Sequence, residues 1–178
     1  MKRRTITSLG LATVLAIAAV LFVYAQEQSK GGKTTNSNIG DRATEEMNKR
    51  GDHVMGFDHT KTTHHFKLLS NGGSIEVSAN SPDDTESRDK IRMHLGHIAR
   101  MFADGDFNAP MLIHEQTPPG VPVMQKLKDQ ITYGFEETKR GAAIQISSNN
   151  PDAVQAIHEF LRFQIKEHKT DDLLDVNQ

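Results

Sequence analysis

The chain has 178 residues, with 21 Lys+Arg against 23 Asp+Glu, nine His, and neither Cys nor Trp. That length suits a single domain with a core of its own, and a near-neutral charge without a Lys/Arg cluster excludes a polybasic nucleic-acid binder. The lack of Cys excludes a disulfide scaffold, a thiolate zinc site, a Cys nucleophile and a lipid-modified N-terminal Cys.

Lys2, Arg3 and Arg4 precede an apolar run from Ile6 to Val23, and Val23-Tyr24-Ala25 offers small or neutral residues for cleavage. A positive start, an apolar stretch and such a site predict an export signal over residues 1–25, or an uncleaved N-terminal anchor if the run is retained. The expected location is therefore periplasmic or extracellular, with membrane contact only through that segment. Removal of residues 1–25 takes away three basic residues and no acidic one, leaving a net charge of −5. Residues 26–50 are polar with few large apolar side chains and predict a flexible linker, the folded unit starting near Gly51.

A shift of 69 residues aligns residues 54–83 with 123–152 without a gap, and ten of the thirty positions are identical, among them Phe66/Phe135, Gly72/Gly141, Ile75/Ile144 and Pro82/Pro151. Such self-similarity predicts a duplicated unit. In the first copy Thr62–Leu69 alternates, with His64, Phe66 and Leu68 on one side. Asn71-Gly72-Gly73 supplies a hairpin turn with positive φ, and Ile75, Val77 and Ala79 continue the inward side. In the second copy Ile131, Tyr133 and Phe135 face in, Gly141 turns, and Ile144 and Ile146 follow.

Helix starts are signalled at Ser81-Pro82-Asp83-Asp84 and at Asn150-Pro151-Asp152, each with a capping residue, Pro at the first helical position and an acid in the first turn. Ile91, Leu95, Ile98 and Phe102 make one apolar stripe, and Val154, Ile157, Leu161 and Ile165 another. Between the copies, Asp104–Pro122 reads as a Pro/Gly-rich loop, followed by a short helical stretch to Asp129. The expected fold is α+β: two β-β-α units, about 54–103 and 123–169, forming a four-stranded antiparallel sheet with both helices on one face.

The histidines carry the functional expectation. His94 and His97 stand one turn apart on the first helix with Met101 beyond them, and imidazoles at that spacing can share a metal. His64 and His65 lie on the first strand, and His114 and Met111 fall in the connecting segment. Imidazole with thioether favours copper, and imidazole alone zinc. The expected ligands are His64, His94 and His97, with His65, Met101 and His114 as further candidates, and the expected function is non-catalytic binding of a copper or zinc ion. The structural alternative is that these histidines are core or surface residues and the chain is a metal-free periplasmic interaction module.

Other chemistry is thinner. Asp104, Asp106, Asn108 and Glu115 echo a calcium-loop spacing, but Ala109 stands where the loop needs Gly and Gln116-Thr-Pro-Pro-Gly cannot begin an exit helix, so calcium is not expected. No phosphate-cradling loop, G-x-S-x-G or H-E-x-x-H occurs. A small His-dependent hydrolase or lyase would need a His beside a carboxylate in a pocket. Phe160 and Phe163 lie off the second apolar stripe, and either segment 104–122 covers them or they form a homodimer or partner surface.

Overall fold

The structure is a computed structural model that describes residues 40–176. The export segment expected over residues 1–25, and the linker as far as residue 39, lie outside the described residues. The chain divides at Thr44/Glu45 into two units; in the first, the described residues are helical. No helix among the described residues is long and apolar enough to cross a membrane.

The polar stretch expected to continue as a linker to Arg50 is helical from residue 40: helix α1 covers residues 40–55. Its apolar signal is sparse but periodic, since Met47 and Met55 lie eight residues apart on one side and both are buried. Glu45 and Lys49 make an i,i+4 ion pair at 2.8 Å, and Arg50 donates through Nε to the Ile113 carbonyl at 2.9 Å. The folded unit therefore begins before Gly51.

A 3-10 turn over His59–Lys61 leads into β1 (Thr62–Leu69), which pairs with β2 (Gly72–Ala79). The turn residues are Ser70 and Asn71, and Gly72 alone of the expected turn takes a positive φ, 148°. After β2 come α2 (Thr85–Ala103), α3 (Asn108–His114), α4 (Val121–Lys126), β3 (Ile131–Glu137), β4 (Gly141–Ser148) and α5 (Pro151–His168). The four strands form one antiparallel sheet in the order β1-β2-β4-β3, so the fold is mixed α+β. Register sets Ile75 opposite Phe66 and Ile144, and Ile144 opposite Phe135. One apolar row thus crosses the sheet, ending at Phe135, which is 41% exposed because β3 is an edge strand.

Helix α2 starts three residues later than Pro82 would place it. Both Asp84 carboxylate oxygens are taken by Ser87, one by its backbone N–H at 3.0 Å and one by its hydroxyl at 2.8 Å, so Asp84 is the cap. Asn150 caps α5 as the sequence expects, accepting from the N–H groups of Asp152 and Ala153. Ile91, Leu95, Ile98 and Phe102 of α2 are buried, as are Ile157, Leu161 and Ile165 of α5, with Val154 half-buried. Helix α2 packs on β2, β3 and β4, and α5 packs on β1, β2, β4 and α4. The α4–α5 approach needs Gly120, whose φ is 82° and whose Cβ would stand 2.0 Å from the Ala156 carbonyl oxygen.

Segment 104–122 is more ordered than a loop. Asp106 accepts from the Asn108 N–H at 2.9 Å and opens α3, where Pro110 falls in the first turn and needs no donor. Asp104 caps the end of α2 and Glu115 that of α3, so the calcium-like spacing is taken up by helix ends. The segment also covers the second helix. Phe107 packs edge-on to Phe160 at 5.9 Å and stacks on Phe102 at 4.3 Å, which leaves Phe160 1% exposed. Phe163 is half-buried with its ring 5.0 Å from that of His114. A partner surface built on Phe160 is therefore corrected: that ring belongs to the core.

Candidate functional site

Four histidines from four elements meet at one cavity. His64 lies on β1 opposite Val77, His94 on α2 beside the buried Leu95, and His114 and His168 are the last residues of α3 and α5. The cavity has a volume of about 70 Å³, and its remaining walls are mostly apolar, including Met55, Phe66, Ile75, Phe102 and Phe160. Such a volume exceeds by several times what one water needs, roughly 10–15 Å³ on this measure. A second, more polar cavity of about 300 Å³ shares Met55, His64, Ile113 and His168 with the first and adds Met47, Asn48, His59, Thr62, Lys169 and Thr170. His64 and His168 thus line both a mostly apolar space and a more polar one.

The rings are packed together. His64 and His168 stack at 5.5 Å with 14° between planes, and His114 meets His168 edge-on at 5.2 Å. Phe57 bridges to the fourth histidine, 6.2 Å from His64 and 5.7 Å from His94. Burial is the largest cause in every case of a lowered pKa. It pushes His64 down to about 4, helped by His94, His65 and His59, and His94 to about 4, helped by His97. His168 falls to about 3, with His64 and His114 adding to its burial. Burial also lowers His114, against the opposing influence of Gln164 and Glu167. All four rings are therefore neutral at pH 7.

Neutral imidazoles should find hydrogen-bond partners when taken out of water. His114 does so once: its Nε2–H donates to Gln164 Oε1 at 3.1 Å, which leaves the lone pair on Nδ1. That Nδ1 and the Gln164 Nε2 are enclosed with no hydrogen-bond partner, the nearest carboxylate oxygen, of Glu167, being 3.9 Å from Nδ1. The rings of His64, His94 and His168 make no hydrogen bond to the described residues. Of the atoms lining this cavity, His114 Nδ1 and Gln164 Nε2 are thus the ones enclosed without a partner, while His64, His94 and His168 are half-buried; no carboxylate lines either cavity.

Of the six expected ligands, His64, His94 and His114 come together. His97 is exposed on α2, and Met101 is half-buried against the core without lining either cavity. His65, on the opposite side of β1 from His64, binds Asp172 through Nδ1 at 2.9 Å. The sequence reading missed His168, Gln164, Met55 and Phe57. A signal for two of them existed: Phe160, Gln164 and His168 follow at i, i+4 and i+8 beside the Ile157/Leu161/Ile165 stripe, and such a row faces inward when the apolar arc is broad. Elsewhere, His158 donates to the Leu69 carbonyl at 2.9 Å. Asp52, Asp58 and His59 form the only group of three possible ligands within 4.8 Å of one another among the described residues. Their atoms are already engaged: Asp52 takes His59 Nδ1 at 2.9 Å and its backbone N–H at 2.8 Å, and Asp58 takes Thr60. No family model, curated protein or solved structure matches this chain.

Proposed function

We propose that the chain is an exported, non-catalytic binding protein that holds a copper ion, as Cu(I), chiefly through His64 and His168, with His94, His114 and the Met55 thioether lining the same cavity. The observation that carries this reading is the convergence of four histidines on one mostly apolar cavity, where His114 Nδ1 is enclosed without a partner. Neutral imidazole is the metal-binding form, and depressed pKa values keep it available well below pH 7. Without carboxylates to balance charge, a univalent soft ion is less costly to enclose than a divalent one. Zinc usually takes four tetrahedral ligands, and no three cavity imidazoles lie within 4.8 Å of one another, whereas Cu(I) is satisfied by fewer donors. Acid–base catalysis works best with a pKa near the operating pH, which rings held at about 3 to 4 do not offer.

The same proposal includes the architecture and the address. The chain is read as a duplicated β-β-α unit with α2 and α5 laid on one face of the sheet. In support, β2 and β4 recur 69 residues apart, as do the two 3-10 turns His59–Lys61 and Lys128–Gln130. The β2–β4 register pairs Ile75 with its own counterpart Ile144, as a twofold axis requires. The bonds Ala79 N–H to Arg140 carbonyl (2.8 Å) and Ser148 N–H to Asn71 carbonyl (2.9 Å) are each other's image under the same shift. Export is inferred from the basic start and apolar run of residues 2–23.

The test is anaerobic titration of the purified protein with Cu(I) against a chromophoric chelator, with metal analysis. About one equivalent should bind, and be lost in His64→Ala/His168→Ala. Absence of bound copper in the wild type would sink the reading and return the chain to a metal-free interaction module. Preference for Zn(II) over Cu(I) would overturn the choice of ion.

A further inference from the structure

The two stacked rings that line both cavities are carried by chain segments that one carboxylate ties together. After His168 the helix ends at Lys169 (φ 51°), and Asp171 also takes a left-handed conformation (φ 58°). Two non-glycine residues in that region within three positions persist only where surrounding contacts hold them. Arg162 Nε donates to the Leu174 carbonyl at 2.9 Å and the Thr170 N–H to the Ile165 carbonyl at 3.3 Å, which tie the segment back to α5; the contact that ties it to β1 is Asp172. Its Oδ2 accepts from the Phe66 N–H at 2.8 Å and from the Thr170 hydroxyl at 2.7 Å, and its Oδ1 accepts from His65 Nδ1 at 2.9 Å. Burial alone would raise this carboxyl, but these hydrogen bonds outweigh it and hold the group below the ordinary carboxylate range. Phe66 stands two residues after His64 on β1, and Asp172 stands four residues after His168. Between them, Lys169 and Thr170 line the more polar cavity opposite Met47 and Asn48 of α1.

We infer that Asp172 is a positioning residue of the site: it latches the segment after α5 to the edge of β1 and so fixes His168 against His64. Asp172 touches no ligand itself. Its effect on copper depends on the reading proposed above, while its effect on the rings does not.

Two readouts on the full chain separate these. Carbethoxylation of histidines by diethyl pyrocarbonate, mapped by peptide mass, reports how open each ring is without any metal. In Asp172→Ala, labelling of His64 and His168 should accelerate about tenfold, the scale set by losing a charge-assisted hydrogen bond, with the exposed His97 unchanged as an internal control. Cu(I) dissociation should accelerate by a similar factor. Asp172→Asn keeps an acceptor for the Phe66 N–H and should restore both rates most of the way. Thr170→Val removes a single bond without touching the core and should give the same ordering with a smaller effect, which decides the matter if Asp172→Ala does not fold. Unchanged labelling of His64 and His168 in the variants would overturn the latch. Faster labelling with unchanged Cu(I) dissociation would overturn its positioning of the site. If the wild type holds no Cu(I), the copper reading falls while the labelling result still decides whether Asp172 holds the two rings.

Discussion

Positions 69 residues apart in this chain have been filled in opposite ways. Tyr133 follows His64 by that interval, and Phe163 follows His94. Around Tyr133 the interior is aromatic and closed: Phe102 lies 5.9 Å from both Tyr133 and Phe160, and Phe107 stacks on Phe102. Around His64 four imidazoles rim a mostly apolar space of about 70 Å³, where His114 Nδ1 and Gln164 Nε2 are enclosed without a partner, at a cost of about 1–3 kcal/mol each. Around Tyr133 rings fill the interior although its own hydroxyl is enclosed without a partner, whereas around His64 a space stays open. Under the copper reading, an occupant of that space would restore the packing and engage the unpartnered His114 nitrogen.

The largest expected effect lies where the two regions meet. Phe160→Ala should cost about 3–5 kcal/mol in denaturant unfolding, since its ring is 1% exposed and packs on Phe102 and Phe107. A loss under about 1 kcal/mol would mean that Phe160 is loosely packed. Next comes pH. The folded chain holds His64 and His94 at about 4 and His168 at about 3, below the ordinary 6.5. As pH falls below 6.5 the unfolded chain takes up protons that the folded chain refuses, so stability is full above that value and is lost progressively toward pH 4 to 3. Urea midpoints of the metal-free protein at pH 7 and pH 4.5 should differ accordingly; equal midpoints would mean that these rings are already solvated.

Smaller and opposite in sign is His94→Phe, which installs the residue found 69 positions later. His94 is half-buried against apolar walls, so an apolar ring in its place should stabilise the metal-free protein slightly, by under about 1 kcal/mol, flatten its acid sensitivity and weaken copper binding. Destabilisation by this substitution would show that His94 has a partner in solution. The smallest effect is expected at His97→Ala, which should stay within about 0.5 kcal/mol and leave copper binding unchanged, as for an exposed side chain away from the cavity. Loss of copper on that change would move the site to the outer face of α2.

Periodicity made much of this legible in advance. Thr62–Leu69 as a strand, Ile91/Leu95/Ile98/Phe102 as a buried stripe, and Asn150 as a cap all follow from local rules that the tertiary structure left in force. Three things escaped for physical reasons. Residues 40–50 are helical although polar, because Met47 and Met55 alone mark the buried side. The cap of α2 moved from Ser81 to Asp84 because two Asp oxygens serving Ser87 outcompete a single hydroxyl. Of the residues lining the cavity, the sequence singles out His64, His94 and His114, but spacing along one helix favours His97 over His168. Helical spacing shows which residues share a side of one element, whereas His168 joins the cavity only because α5 packs on β1. No local pattern contains that contact.

The most direct measurement is the long-range ¹H–¹⁵N spectrum of the histidine rings during titration with Ag(I), a redox-inert stand-in for Cu(I). The ring nitrogens of His64 and His168 should shift first and saturate near one equivalent, with His94 and His114 following and His53, His97 and His158 unmoved. Shifts confined to the exposed rings, or none at all, would contradict the assignment of the cavity as a metal site.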